Sequence, residues 1–224
     1  MINGSGGGIF TVYDKTTGAT IAGPTNLDTL GTGSCATGLG DPVVLFDRLA
    51  QRWFLTEFAS LGNHLCAYVS KTADPVSGGW WAYDFSVPDF PDYPKYAVWP
   101  DGYYVGTNEG SPAVYALDRV RMLAGQAATY QRLTVPAIAA FGFQMLQPAD
   151  LDGYAPPADG EPAIFLRHRD DEVHNIGAND PSKDFLELWQ MHVDWITPAN
   201  TAVSGPTNVA IAEIDSDLCG LSSF

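Results

Sequence analysis

Residues 90 to 109, with the sequence FPDYPKYAVWPDGYYVGTNE, decide the fold. A proline-bounded turn precedes a predicted strand at 95–99, and the turn Pro100-Asp101-Gly102 separates it from a second predicted strand at 103–107. Aromatic and β-branched residues suit a half-buried pleated surface, whereas Pro and Gly end strands. The stretch GDPVVLFDRLAQRWFLTEF at 40–58 has the same order of strand, turn and strand. This repetition predicts an all-β protein built from a recurring unit.

The start points of the repeats give their period. The dipeptides Asp41-Pro42, Tyr93-Pro94 and Gln147-Pro148 each open a set of four predicted strands, at separations of 52 and 54 residues. The tetrapeptide GPTN occurs at both 23–26 and 205–208. Repeated four-stranded units of this length are typical of a β-propeller. The predicted fold is therefore a β-propeller of four-stranded antiparallel blades.

The chain supplies about three and a half blades, in a single partial propeller domain over residues 1–224. Its predicted parts are an outer hairpin at 9–26, blades at 41–87, 93–136 and 142–214, and a tail at 215–224. Propellers close into rings, typically of four to eight blades. We therefore expect a larger ring whose remaining blades lie on another chain or in a longer polypeptide. The alternative is a compact four-bladed ring completed by a rearranged terminus.

Smaller elements are predicted within these parts. The loop KTTG at 15–18 suits a hairpin turn, and residues 119–125 suit a short helical turn that ends at a glycine. The strands of the third blade are predicted at 142–146, 163–168, 185–195 and 209–214. Elaborate loops at 150–160 and 169–184 make this blade the least regular.

Charge and hydropathy exclude several classes of function. The chain carries 26 acidic and 11 basic side chains, a net charge of -15. Such a surface repels nucleic acids and anionic lipids, and suits either a soluble extracellular protein or cation binding. No run of about 18 apolar residues predicts a membrane span. The N-terminal residues MINGSGGGIF lack the basic and apolar regions of a signal peptide, so the signal of a secreted protein would lie outside this chain.

Three cysteines leave one without an intrachain partner. Cys35 and Cys66 flank the first full repeat and are candidates for a disulfide. Cys219, near the C-terminus, lacks an evident partner.

Five stretches together resemble a family of secreted bacterial β-propeller proteins that has no settled activity. They are GDPVVLFDRLAQRWFLTEF, FPDYPKYAVWPDGYYVGTNE, AVYALDRVRMLAG, QPADLDGYAPPADGEPAIFLRHRDDEVHN and HVDWITPANTAVSGPTN. The resemblance implies a polypeptide that continues past Phe224, with a cysteine downstream to pair with Cys219. It also implies export to an oxidising compartment. It supplies no catalytic residues.

Four carboxylates near the ends of the inner strands are candidate catalytic groups: Asp41, Glu57, Asp92 and Glu109. The Asp-Pro at 41 and the DGYY at 101 are similar to motifs of five-bladed propeller glycosidases, which place carboxylates around a central funnel. Such an acid–base pair needs a separation of about 6.5–9.5 Å, or about 5–5.5 Å in retaining enzymes. The alternative, which we favour because these residues recur with the blade, is that Asp41 and Asp92 cap turns by accepting backbone N–H bonds.

Ligand-type side chains are densest in the third blade. His168, Asp171 and His174 lie within HRDDEVH at 168–174 and are candidates for binding a ligand, with the histidines also candidates for a transition metal. Asp150 and Asp152 resemble the opening of a calcium loop but lack its later oxygen ligands, which leaves Ca²⁺ as a possible cofactor. The alternative for 168–174 is a solvated loop of ion pairs.

The aromatic residues have two alternative roles. Flat rings stack on sugars, but alternation along a strand turns about half of them into the core between blades. Trp81 and Tyr104 are the candidates for an exposed stacking pair. No GxSxG, P-loop or GxGxxG motif is present.

Three functions remain open. The first is an extracellular propeller that displays loops to bind a glycan or a protein, without a catalytic motif. The second is a glycosidase-type hydrolase that uses the funnel carboxylates. The third is a structural segment of a cell-surface assembly.

Overall fold

The computed structural model describes residues 2–4, 8–138, 143–153, 155–170 and 184–216. The described residues form fifteen strands, one short α-helix, α1, at Arg119–Leu123, and three 3₁₀ turns at Leu27–Thr29, Gly33–Ala36 and Pro198–Asn200. The strands are β1 Ile2–Gly4, β2 Gly8–Tyr13, β3 Thr20–Asn26, β4 Gly38–Asp47, β5 Arg52–Ala59, β6 His64–Ser70, β7 Trp80–Ser86, β8 Lys95–Val98, β9 Tyr103–Thr107, β10 Ala113–Leu117, β11 Tyr130–Thr134, β12 Gln147–Pro148, β13 Ala163–Arg169, β14 Phe185–His192 and β15 Ala202–Ala210.

Consecutive strands pair antiparallel into four sheets. Sheet I contains β1–β3, sheet II β4–β7, sheet III β8–β11 and sheet IV β12–β15, each in chain order. The prediction of an all-β chain with four-stranded antiparallel sheets is confirmed for sheets II, III and IV. Sheet I has three strands among the described residues.

Three apolar cores lie between the sheets, one for each pair of neighbours in the chain. Leu55 and Tyr68 belong to the core between sheets I and II. Phe54 stacks on Tyr103, with ring centroids 4.2 Å apart, in the core between sheets II and III. Tyr104, the next residue, faces the core between sheets III and IV, since neighbouring side chains of a strand point to opposite faces. Every residue of β9 and β10 is buried because sheet III is covered on both faces.

The first strands of the four-stranded sheets lie beside one another. β4 contacts β8, and β8 contacts β12. The hairpin from β8 to β9 closes with the N–H of Trp99 donating to the carbonyl of Gly102 over 3.0 Å. The turn predicted there from Pro and Gly is therefore confirmed.

The predicted helical turn is also confirmed, since Asp118 caps α1 by accepting the N–H of Arg121. Sheet IV differs from its prediction at both of its outer strands. Residues 143–146 form no strand, and the first strand is instead β12. The last strand lies at 202–210 rather than 209–214, because β15 continues through Gly205-Pro206. Proline is tolerated there because an outermost strand leaves one row of N–H groups unpaired.

The repeated tetrapeptide GPTN occupies the same place in sheets I and IV. It lies in the outermost strand of each sheet, with a cis Gly-Pro bond and a shift of register at that point. A Cβ on Gly23 would lie 2.7 Å from the carbonyl oxygen of Phe10, and one on Gly205 would lie 2.9 Å from that of Leu188. Both glycines have positive φ angles, so close approach and backbone conformation each require glycine.

Candidate functional site

Glu109, a predicted catalytic candidate, is buried within a hydrogen-bonded ion pair in sheet III. It follows β9 and accepts hydrogen bonds from the side chains of Arg132, Tyr115 and Thr107. Arg132 lies directly opposite Tyr115 in the β10–β11 ladder, which brings the guanidinium to the carboxylate. A buried carboxylate needs this compensation because burial removes its hydration. Glu109 is therefore part of the structural core.

Two further buried carboxylates have arginine partners. In sheet IV, Glu187 accepts from Arg167 over 2.8 Å and from Arg169 over 2.7 Å. Burial alone would raise the pKa of Glu187, but hydrogen bonds from Arg169 and the Trp189 indole, with those from Arg167, leave it below its usual range. Between sheets II and III, Asp47 accepts from Arg119 over 2.6 and 2.9 Å.

Glu57 is the exception. It is fully buried at the end of β5 and accepts hydrogen bonds from the Tyr68 hydroxyl over 3.0 Å and from the Gly8 N–H over 3.2 Å. No arginine, lysine or histidine pairs with it within the described residues. Burial, together with the nearby Asp28 carboxylate, raises the pKa of Glu57, although the two hydrogen bonds oppose this shift. A Cβ added to Gly38 would collide with the Glu57 carboxylate, so glycine is needed beside it.

These positions correct the prediction of a carboxylate pair that includes Glu57 and Glu109. The two side chains belong to different sheets and are buried among different partners. A glycosidic acid and base must both reach the same bond. Glu57 and Glu109 are therefore removed from the catalytic candidates.

The other two candidates, Asp41 and Asp92, lie near enough to Lys95 for their charges to act on it. Burial lowers the pKa of Lys95, while the negative charges of Asp41 and Asp92 oppose this shift. The Lys95 ammonium also lies 3.4 Å from the centre of the Tyr93 ring. Within the part of the chain that the structure describes, neither carboxylate accepts a backbone N–H, so the favoured role as turn caps is wrong for both residues. Their charges act instead on Lys95, the first residue of β8.

The calcium candidates have separate partners. Asp150 accepts the N–H of Val98 over 2.8 Å and so fastens β8 to the start of sheet IV. Asp152 is exposed and lies 3.8 Å from the Arg48 guanidinium. The described residues contain no group of three or more His, Cys, Asp or Glu side chains placed to hold a metal ion. Within the described residues the two aspartates have separate partners, and their role in a calcium site stays a prediction.

The predicted cluster at 168–174 is described only at its start. His168 is half-buried in β13, and burial lowers its pKa against the opposing charge of Asp170. Asp170 itself is buried and accepts both the N–H and the hydroxyl of Ser216. Asp171 and His174 lie outside the described residues, so their predicted roles in ligand and metal binding stay predictions.

The proposed stacking pair is not available as a pair. Tyr104 is fully buried, and its hydroxyl donates to Asp101 over 2.9 Å. A buried ring offers no face to a sugar, so the ligand-binding role predicted for Tyr104 is wrong. Trp81 is half-buried, with Gly125 packed against its ring and the Lys71 ammonium 4.0 Å from its centre. The predicted role of Trp81 in ligand binding stays a prediction.

The predicted disulfide between Cys35 and Cys66 is present, with its Cα atoms 5.6 Å apart. It joins the 3₁₀ turn at Gly33–Ala36 to β6. The Tyr68 hydroxyl also lies within 3.2 Å of the Cys35 carbonyl. Cys219 lies outside the described residues.

A pocket of about 260 Å³ lies at the seam between sheets I and II. Four aromatic residues shape its walls: Phe10, Tyr13, Trp53 and Trp80. Val44, Leu55 and Pro75 add apolar surface, and the residues that complete the lining are Thr11, Val12 and Lys15. This pocket is the candidate binding site.

The walls of this pocket are fixed by packing and by hydrogen bonds. The rings of Phe10 and Trp80 meet edge to face, with centroids 6.0 Å apart. The indole N–H of Trp53 donates to the carbonyl of Ala73, and that of Trp80 to the carbonyl of Pro75. The two indoles therefore present ring surface rather than donors to an occupant.

The sequence interpretation named Trp80 among the aromatic residues but did not identify the pocket. Its lining comes from four strands and two loops of sheets I and II, so no local motif marks it. The available signal was the clustering of aromatic residues at the ends of the predicted outer hairpin and first blade.

Comparisons with known proteins give no relative, since no protein-family model, curated protein or solved structure matches the chain.

Proposed function

We propose that the protein is an extracellular binding module, built as a segment of a β-propeller, that holds an apolar side chain of a protein partner in the pocket between sheets I and II. The observation that carries this proposal is the aromatic lining of the pocket. The sequence also predicts a glycan as a ligand, and the experiment distinguishes glycan binding from binding of a protein side chain.

The arrangement of the sheets supports the propeller. Sheets I to IV follow one another in chain order, a separate core lies between each neighbouring pair, and β4, β8 and β12 lie side by side. In a propeller, blades pack face to face and their first strands surround a common axis. The remaining blades would lie on another chain or elsewhere in a longer polypeptide.

An extracellular location is supported by the disulfide, because such bonds persist in oxidising compartments and are rare in the cytosol. None of the helices among the described residues has the length and apolar character needed to cross a membrane. The net charge of -15 is also compatible with a secreted or cell-surface protein.

The chemistry of the pocket favours an apolar side chain over a sugar. Its volume of about 260 Å³ is just below the range of about 300–1,000 Å³ that is usual for small-molecule sites. Sugars need several hydrogen bonds in addition to a stacking face, and the donors of Trp53 and Trp80 are already used. Aromatic anchors in small pockets are instead typical of protein interfaces.

The test uses simple probes, followed by NMR of the indole N–H groups. N-acetyl-tryptophanamide and N-acetyl-leucinamide represent a protein side chain, and methyl β-glucopyranoside and chitobiose represent a glycan. We expect the two amides to shift the signals of Trp53 and Trp80, which Trp→Phe variants assign. Val44 is partly exposed at the pocket, so Val44→Arg should abolish the shifts. Val120→Arg, at an exposed residue of α1, is the matched control and should bind like the wild type.

Each result has a defined meaning. Shifts by the amides that are lost in Val44→Arg and kept in Val120→Arg support the proposal. Shifts by the sugars alone would replace the protein partner with a glycan. Two results would overturn the pocket as the binding site. One is a wild-type protein whose indole signals shift with neither class of probe, and the other is equal shifts in Val44→Arg and Val120→Arg.

A further inference from the structure

Three polar side chains outside the pocket form a serine–histidine–aspartate array. The Ser34 hydroxyl lies 3.3 Å from Nε2 of His64, and Nδ1 of His64 lies 2.5 Å from Oδ1 of Asp84. A carboxylate only accepts hydrogen bonds, so Nδ1 carries a proton, and in the neutral imidazole Nε2 then accepts from the hydroxyl. This is the tautomer in which an imidazole acts as a general base towards serine.

Secondary structure and the disulfide hold the array in place. His64 and Cys66 are two residues apart in β6 and so share one face of sheet II, and Asp84 lies directly opposite Cys66 in β7. Ser34 precedes Cys35, whose disulfide to Cys66 fastens the serine turn over the same face. The covalent bond therefore joins the backbone segments that carry the hydroxyl and the base.

The second oxygen of Asp84 orients the serine. Oδ2 accepts the backbone N–H of Ser34 over 3.1 Å while Oδ1 accepts from His64. The Asp84 carboxylate therefore orients both the His64 ring and Ser34, whose hydroxyl faces that ring. A clamp that served only to hold the turn would need the Ser34 N–H bond, and it would not require Nε2 to face the hydroxyl.

The array is accessible, and glycines adjoin it. The His64 and Asp84 side chains are 20% and 25% exposed. A Cβ on Gly62 would lie 3.2 Å from Nε2 of His64, and one on Gly33 would lie 3.0 Å from Oδ2 of Asp84. Both glycines have positive φ angles. Glycine at these two positions therefore lets the backbone pass close to His64 and Asp84 without a side chain covering them.

We propose that Ser34, His64 and Asp84 form a catalytic site that hydrolyses esters of small carboxylic acids. Oγ of Ser34 attacks the ester carbonyl carbon and forms a new C–O bond, and its proton passes to Nε2 of His64. The bond from the carbonyl carbon to the alcohol oxygen then breaks, and His64 returns the proton to the departing alcohol. Asp84 remains ionised and stabilises the imidazolium.

Water completes the cycle. It attacks the acyl carbon on Ser34 and gives its proton to Nε2, and the bond between the carbon and Oγ breaks as that proton passes to Oγ. The products are one carboxylic acid and one alcohol for each ester and water consumed. No oxidant, reductant or metal ion takes part.

The activity is tested with p-nitrophenyl acetate and the intact oxidised chain. We expect Ser34→Ala and His64→Gln to lower kcat/KM at least about 100-fold, in the range that removal of a nucleophile or general base produces. Ser111→Ala and His192→Gln are the controls, since both residues are exposed elsewhere on the surface and should leave the rate unchanged. Circular dichroism checks that each variant is folded.

A second measurement needs no variant. A fluorophosphonate probe should modify the wild-type protein, and peptide mass mapping should place the adduct on Ser34. Equal rates in the wild type and in folded Ser34→Ala would overturn the proposal, as would an adduct on other residues but not on Ser34. Hydrolysis that depends on His64 and not on Ser34 would reduce the site to simple imidazole catalysis and would equally overturn it.

Discussion

Sheets II and III each bury a glutamate beside a tyrosine of their third strand, but they compensate its burial differently. Glu109 in sheet III is bound by Arg132 as well as by Tyr115. Glu57 in sheet II is bound by Tyr68 and by a backbone N–H. In the strand ladders, the residue opposite Tyr115 is Arg132, whereas the residue opposite Tyr68 is Ala82.

This difference shows that two similar sheets compensate a buried glutamate in different ways, by an ion pair in sheet III and by a hydroxyl with one backbone N–H in sheet II. An arginine stabilises the ionised form of a buried carboxyl group. A site that offers only a hydroxyl and one N–H favours the neutral form. The neutral form also fits the local hydrogen bonds. A protonated Glu57 can donate to the Tyr68 oxygen while the Tyr68 hydroxyl donates to the carbonyl of Cys35.

The largest expected effect on stability comes from removing the Arg132 guanidinium, which pairs with Glu109 in sheet III. Arg132→Ala leaves the buried Glu109 carboxylate without its ion pair, and we expect the free energy of unfolding to fall by about 3 kcal/mol. Urea unfolding near neutral pH measures the loss. Arg121→Ala is the control, because that side chain is exposed and should change stability by no more than about 0.5 kcal/mol. Equal losses in the two variants would show that the buried ion pair is unimportant.

A smaller effect distinguishes the two tyrosines. Tyr115→Phe leaves Glu109 with Arg132 and Thr107, and we expect a loss of about 1 kcal/mol. Tyr68→Phe leaves Glu57 with Gly8 alone, so we expect a loss of about 2 kcal/mol. Both variants are compared by urea unfolding at the same pH. If Tyr115→Phe proved the more damaging, the proposed difference between the sheets would be reversed.

The smallest effect is a change in pH dependence. Burial raises the folded-state pKa of Glu57 above its unfolded value. The free energy of unfolding therefore falls as the pH rises from the unfolded pKa through the folded pKa. Glu57→Gln removes that titration and keeps the bonding pattern of the protonated acid. We expect the stability of the variant relative to the wild type to rise as the pH increases above about 4.5, the ordinary pKa of a glutamate. Urea unfolding at several pH values tests this, and a constant difference between the two proteins would contradict it.

Sheet IV provides the contrasting control for pH. The pKa of Glu187 is lowered by its arginine and indole partners against the effect of burial, so its stabilising contribution is present above the unfolded pKa and is lost as the pH falls. In Glu57→Gln this acid-induced loss should remain. The two carboxyl groups therefore change stability in opposite directions over the acidic range.

Local patterns predicted the strands and turns well. Pro, Gly and alternating aromatic residues located the β8–β9 hairpin, and the repeated GPTN marked equivalent positions in β3 and β15. The prediction missed the strand at residues 202–208 because a Gly-Pro pair ordinarily ends a strand. An outermost strand tolerates the pair, but the sequence does not show which strand is outermost. The disulfide could be proposed since only three cysteines limit the choices.

The candidate sites depended on contacts that no local pattern contains. Alternation shows that Tyr103 and Tyr104 face opposite ways, but it does not show that both faces of sheet III are covered. The pairing of Glu109 with Arg132 requires the order of strands in the sheet. Ser34, His64 and Asp84 come from one turn and two strands, and they meet only because of the β6–β7 register and the disulfide.

The prolines of the repeated GPTN also limit how molecules of this protein can associate. Pro24 and Pro206 lie in β3 and β15, the outermost strands of sheets I and IV. An exposed strand edge is a template for pairing with another chain and so for aggregation, and a proline that cannot donate a hydrogen bond, placed at a shift of register, interrupts that template. Growth of these two sheets by addition of strands from neighbouring molecules is therefore disfavoured, which guards these edges against fibril formation.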